Sequence, residues 1–265
     1  METPRSSAPQ EPRQRASQNP HGMWNIADHH GTHHPRSSRS ARLPDLRRLR
    51  SGVWGVWSPV VMAVRLALLG DSIAWGQGAA RPADKLGPRL RAGLAEQGLD
   101  IEVRRFAKRG ARSTGLAEQV DAAVEWDPTI AVVVIGANDL THREPVDVAV
   151  AALADAVRRL RAAGSEIVVA PAPDLSAVPH VPDFLRVAVR AASEDFRTRQ
   201  VAAVLAEGGR VADDDHRTSR AFAGDPALFA ADRFHPSSAG YAVIAEALMP
   251  VVAEVVQELG DSSGH

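Results

Sequence analysis

Leu66-Ala67-Leu68-Leu69-Gly70-Asp71-Ser72-Ile73-Ala74-Trp75-Gly76-Gln77-Gly78 is an apolar run that breaks off at a glycine and presents a serine. A short run of this kind, ended by glycine and small polar residues, reads as a strand buried on both faces that empties into a loop. In an open α/β sheet that loop lies at the carboxyl edge, where ligands bind. Ser72 is therefore a candidate nucleophile. A serine hydroxyl needs a base to take its proton and a third group to orient that base. Asp232-Arg233-Phe234-His235-Pro236, near the other end of the chain, offers both within one loop. Between them, Ile135-Gly136-Ala137-Asn138-Asp139 repeats the pattern of an apolar run stopped by glycine, and the Asn138 amide is a candidate donor to an oxyanion.

From residue 63 onward strands and helices alternate, the pattern of a parallel sheet covered on both faces. Strands are expected over 64–69, 101–106, 129–135, 166–170 and 210–212, the third an almost purely β-branched run. Helices are expected over 82–97, 116–126, 145–162 and 183–206, with a closing helix from 237. Pro250 should kink or end that last helix, because it lacks the amide hydrogen the ladder uses. A long loop joins the fifth strand to His235. Ser72, Gly110 and Asn138 then follow strands one, two and three and converge on one edge.

Gly70-Asp71-Ser72, Gly110, Gly136-Ala137-Asn138-Asp139 and Asp232-Arg233-Phe234-His235, in this order, resemble the four blocks of the SGNH/GDSL hydrolase family. The resemblance covers roughly residues 63–258. It implies a flavodoxin-like three-layer α/β/α sandwich with a five-stranded parallel sheet in the order 2-1-3-4-5. It also implies a catalytic triad of Ser72, Asp232 and His235. The oxyanion donors it implies are the backbone amides of Ser72 and Gly110 and the side chain of Asn138. No metal or cofactor is expected. One position departs from the pattern, since relatives often carry Asn five residues before the glycine, where this chain has Arg105.

The chain has 265 residues and no cysteine, so disulfides, thiolate metal sites and cysteine nucleophiles are excluded. Residues 1–61 hold nine arginines against four acidic residues, whereas the rest holds 22 basic and 28 acidic ones, a net −6. An acidic body gives no reason to expect nucleic acid as partner. The expected organisation is an Arg/Ser/Pro/His-rich disordered tail or leader over 1–61, a hydrolase domain over 62–260 and a disordered C-terminus over 261–265. The histidines of 28–34 read as low-complexity sequence rather than a metal site. The apolar run near 53–64 is too short for a membrane span, so no stable membrane insertion is expected. A start at Met62 and a cytoplasmic protein are expected, with a secreted protein the alternative should 53–63 act as a signal peptide. Oligomeric state is not legible.

The expected activity is hydrolysis of small-molecule carboxylic esters of small to medium acyl chains through an acyl-serine intermediate. An acyltransferase or carbohydrate-ester deacetylase would use the same triad, and a non-catalytic flavodoxin-like module would bind an anion at helix N-termini. In that last case Ser72 is simply a helix cap. Asp213, Asp214 and Asp215, beside His216, could also supply an acid, but they follow the short fifth strand and read as a solvated turn. Asp71 and Asp139 are expected to brace their loops, and Trp75, Phe184, Leu185 and the 221–229 loop to line an acyl pocket.

Overall fold

The computed structural model describes residues 64–262. The proposed tail, leader and Met62 start, and the histidine cluster of 28–34, lie outside the described residues. β1 (Val64–Gly70), β2 (Ile101–Arg105), β3 (Ile130–Val134), β4 (Glu166–Ala170) and β5 (Arg210–Val211) form one sheet. Its order is β2-β1-β3-β4-β5 and every pairing is parallel, as the alternation and the family resemblance imply.

Successive side chains of a strand face opposite ways, so a central strand feeds two cores. Leu66 and Leu68 of β1 join Ile130, Val132 and Val168 on one face, under α2 (Leu86–Glu96) and α8 (Ser238–Ser262). Ala67 and Leu69 join Ala131, Val133, Ile167 and Val169 on the other. There the cover is α3 (Leu116–Glu125), α5 (Val146–Ala162) and the C-terminal part of α6 (Asp183–Ala206). All five residues of β3 are buried, which is why its sequence shows no polar alternation.

Several local features differ from the sequence expectation. The helix expected over 82–97 is divided into a 3-10 turn, Pro82–Asp84, and α2, with Lys85 extended between them. The stretch read as a loop after β5 contains α7 (Arg217–Gly224) and a 3-10 turn, Pro226–Leu228. α7 is only eight residues long and has no fully buried residue, with Phe222 its one large apolar side chain, so little in its sequence marks it as a helix. Pro250 does not end the closing helix, which continues through it to Ser262, two residues into the expected disordered C-terminus. Proline in a helix interior costs about 3 kcal/mol, but Tyr241, Leu248, Val252 and Val255 are buried on both sides of it. Burying such side chains returns roughly 1.5–3 kcal/mol each. By length and composition α8 is apolar enough to cross a membrane, its most apolar 18-residue stretch having mean hydropathy 1.7, yet it forms part of the core of this domain.

Candidate active site

The carboxyl end of β1 is fixed before the serine is reached. Gly70 has φ +129°, and a Cβ there would lie 1.8 Å from the carbonyl oxygen of Val134, so only glycine fits. The buried Gln119 of α3 clasps the same residue, accepting from the Gly70 N–H at 2.8 Å and donating to its carbonyl at 3.0 Å. The Asp71 N–H donates to Val134 O at 3.1 Å. A single helical turn, α1 (Ser72–Trp75), follows, and its N-cap is Asp71, whose Oδ1 accepts from the Ile73 N–H at 2.8 Å. Since Asp71 caps the helix, Ser72 is left with no capping task.

The hydroxyl of Ser72 lies 3.0 Å from Nε2 of His235, and Nδ1 of that ring lies 2.6 Å from Oδ2 of Asp232. A neutral ring whose Nδ1–H donates to the carboxylate has Nε2 free to accept from the serine. Gln77 Nε2 approaches the same Nδ1 at 3.4 Å, but the shorter carboxylate contact sets the tautomer. Asp232 Oδ1 accepts from the N–H groups of Phe234 and His235, both at 3.0 Å, across the intervening Arg233 at φ +56°. Partial burial pushes the Asp232 carboxyl up, but the bonds from the His235 ring and the two backbone amides outweigh it and hold it below the usual carboxylate range.

Asn138 stands in α4 (Ala137–Thr141), a short helix the sequence reading did not foresee. Its Nδ2 donates to Ala111 O at 3.0 Å, so one amide hydrogen ties the loop after β2 to the loop after β3 and the other is left for a ligand. Gly110, beside Ala111, has φ +74° with open space where a Cβ would stand, so backbone conformation rather than crowding requires glycine there. The N–H groups of Ser72 and Gly110 donate to no group among the described residues.

Both flanking acids brace loops. Asp139 accepts from Ser113 N at 2.9 Å and from Ser113 Oγ at 3.0 Å, while burial pushes its carboxyl up. Asp213 and Asp215 organise the turn into α7, accepting from Thr218 N and Arg217 N, and neither bonds His235. Sequence reasoning missed Gln119 and Gln200, buried amides that hold the ends of β1 and of the β3 and β4 connections. A glutamine on the apolar stripe of α3, between Leu116, Val120 and Ala123, is the available signal.

Asp71 carries a prediction of its own. Burial pushes its carboxyl up to about 7; the Ile73 N–H opposes the shift and the Asp139 charge adds to it. Its Oδ2 is buried without a partner. An acid raised in the folded state holds its proton there while the unfolded chain, with a pKa of about 3.9, releases it. Its contribution to stability is therefore fully present below about pH 4 and is lost as the pH rises to about 7. Asp71→Asn keeps an acceptor for Ile73 and buries no charge. In urea unfolding it should be more stable than the parent by a few kcal/mol at pH 8, with the difference vanishing at pH 4; an equal difference at both pH values would contradict the assignment.

Ser72 and His235 open into a small apolar pocket of about 60 Å³, walled by Leu175, Val178, Phe222, Phe229 and Ile244. Phe222 and Phe229, from the expected 221–229 loop, pack edge to face at 5.0 Å. Trp75, Phe184 and Leu185 do not line it. Phe184 is 83% exposed on α6, and Trp75 faces a separate cleft.

Known proteins agree with this architecture. The family model for the GDSL-like Lipase/Acylhydrolase family matches residues 68–243. The GDSL-like esterase Rv1075c of Mycobacterium tuberculosis is 38% identical over 206 residues, which cover 76% of this chain and 66%, just under two thirds, of that protein. Among solved structures, TesA superposes with TM-score 0.58 at 21% identity, covering 72% of this chain and 99% of TesA. The psychrotrophic esterase EstA from Pseudoalteromonas sp. gives 0.58 at 18%, covering 73% and 98%. The acetylxylan esterase Axe2 from Geobacillus stearothermophilus gives 0.56 at 20%, covering 72% and 95%. These structures share the fold, and the family match spans both the serine loop and the aspartate–histidine loop. The chain belongs to the GDSL-like lipase/acylhydrolase family.

Proposed function

We propose that the protein is a serine esterase that hydrolyses carboxylic esters of short acyl chains. The observation that carries this reading is the unbroken chain Ser72 Oγ to His235 to Asp232 at the mouth of an apolar pocket. His235 takes the serine proton as Oγ attacks the ester carbon. The charge that develops on the former carbonyl oxygen is met by the N–H groups of Ser72 and Gly110 and by Asn138. Collapse breaks the bond to the alcohol, which leaves with the proton from His235. Water, deprotonated by the same ring, then attacks the acyl-serine, and acid and free Ser72 result. Asp232 stays ionised throughout and stabilises the imidazolium.

The pocket limits the acyl group. Its 60 Å³ is well below the roughly 150 Å³ of a cavity that admits benzene. Turnover of p-nitrophenyl esters should be highest for acetyl to butyryl chains and fall steeply beyond; no hydrolysis of any chain length would overturn the esterase reading. Truncating the wall by Phe222→Ala should raise kcat/KM for the hexanoyl ester relative to the acetyl ester by about tenfold, the scale of one misfitted methylene. An unchanged ratio would place the acyl chain elsewhere.

Asn138→Ala tests the oxyanion assignment. Loss of one such donor costs about 2.7–4 kcal/mol of transition-state binding, so kcat should fall roughly 100- to 1000-fold with little change in KM. Unchanged kcat would remove Asn138 from that role. EstA is inhibited by monoethylphosphonate, and this supports a phosphonate as the covalent probe for the present chain.

A further inference from the structure

On the other side of α1 from the acyl pocket, three cations gather on one indole. Lys85 Nζ lies 4.2 Å from the ring centroid of Trp75, and the guanidinium carbons of Arg105 and Arg109 each lie 4.7 Å from it. They come from three places: the break before α2, the end of β2 and the loop before Gly110. None of them has an ion-pair partner among the described residues.

Twelve of the twenty arginines among the described residues form ion pairs, and Arg105 and Arg109 are among the eight that do not. Trp75, Lys85 and Arg105, with Arg91, line a cleft of about 610 Å³ whose floor includes Leu68 and Val103 and whose lining contains no acidic residue. This stands in a body of net charge −6. Like charges held around one ring repel one another, and a bound anion relieves that repulsion. The site is also built. The aliphatic stem of Lys85 runs across the bare Cα of Gly76, where a Cβ would meet its Cγ at 2.6 Å, and Arg105 Nη1 donates to Trp75 O at 3.4 Å. Arg105 is the position at which the chain departs from the family pattern.

We propose that this cleft receives an anionic group, a carboxylate or a phosphate, carried on the alcohol half of the ester. The inference rests on the esterase reading. Ser72 and Ile73 border the acyl pocket, and Ala74 and Trp75 border the cleft. An ester at Ser72 has two arms, and if the acyl arm fills the apolar pocket the alcohol arm points to the cations. Ser72 and Trp75 lie three residues apart on the single turn of α1, so the two regions adjoin along the chain, and a three-carbon spacer is the length to test first.

Three matched acetates test this in the full-length protein: 3-acetoxypropyl phosphate, its neutral dimethyl phosphotriester, and 4-acetoxybutyrate, with acetate release as the readout. Hydrolysis of p-nitrophenyl acetate establishes separately that the esterase reading holds. At low salt kcat/KM for the phosphate or for the carboxylate should exceed that for the triester at least tenfold, and the ratio should fall toward one in 0.5 M NaCl as screening grows. In Lys85→Gln/Arg105→Gln the ratio should collapse at low salt as well. If the double variant does not fold, Arg105→Gln alone, at an exposed side chain, should reduce the ratio at least threefold. The proposal is overturned if p-nitrophenyl acetate is hydrolysed while neither anionic ester is favoured, or if the preference survives in the variants. Failure to hydrolyse p-nitrophenyl acetate would instead overturn the esterase reading beneath it.

Discussion

His235→Ala is expected to lower kcat by on the order of 10⁵- to 10⁶-fold while leaving the protein folded. The ring does two things no neighbour can take over. Its Nε2 sits 3.0 Å from the Ser72 hydroxyl, and its Nδ1 is bound to Asp232, which fixes the tautomer with Nε2 as acceptor. Gln77 is near but has no basic nitrogen, and Asp213 and Asp215 are engaged at the start of α7. His235 is only partly buried, so its loss opens no enclosed cavity, and its backbone bonds to Asp232 and Ala230 remain. Steady-state kinetics on a short-chain ester, with thermal unfolding as control, reads both parts. A folded variant retaining one hundredth of parental kcat would show that another group is the base.

Asp232→Asn is expected to cost about 10⁴-fold in kcat with normal stability. The amide oxygen of Asn can occupy the place of Oδ1 and keep accepting from the N–H groups of Phe234 and His235. Its NH₂ then faces Nδ1, so the ring carries its proton on Nε2 and presents a donor to Ser72 where an acceptor is required. Asp232→Ala should be as inactive and also less stable by about 1–3 kcal/mol, because the two backbone amides that follow the left-handed Arg233 lose their acceptor. The contrast separates the chemical role of the carboxylate from its structural one. An Asn variant within tenfold of the parent would contradict the assignment of the acid.

The parts of this molecule carried by local pattern were legible in the sequence. The β-branched run of β3 announces a strand buried on both faces, and Gly70 at the end of β1 and Gly136 just after β3 mark where those strands empty toward a site. The strand order was not read from residues; it came with the family resemblance. An acid and a histidine three residues apart announce one loop, and the geometry adds that Asp232 also builds that loop through its Oδ1. Features made by convergence stayed hidden. Nothing in the sequence says that Lys85, Arg105 and Arg109 meet on Trp75, because each reads as an ordinary surface cation in its own segment. Trp75 was expected in the acyl pocket from its closeness to Ser72, yet its side chain lies on the opposite side of α1. Pro250 misleads for a related reason: the local cost is real, but burial along the whole of α8 outweighs it.

The central claim is that Ser72 is a nucleophile activated by His235. Treating the folded protein with a fluorophosphonate and mapping the adduct by peptide mass spectrometry tests it most directly. The account predicts a single stoichiometric adduct on Ser72, absent from Ser72→Ala and strongly slowed in His235→Ala. No adduct on folded protein, or an adduct undiminished by Ser72→Ala, would contradict it.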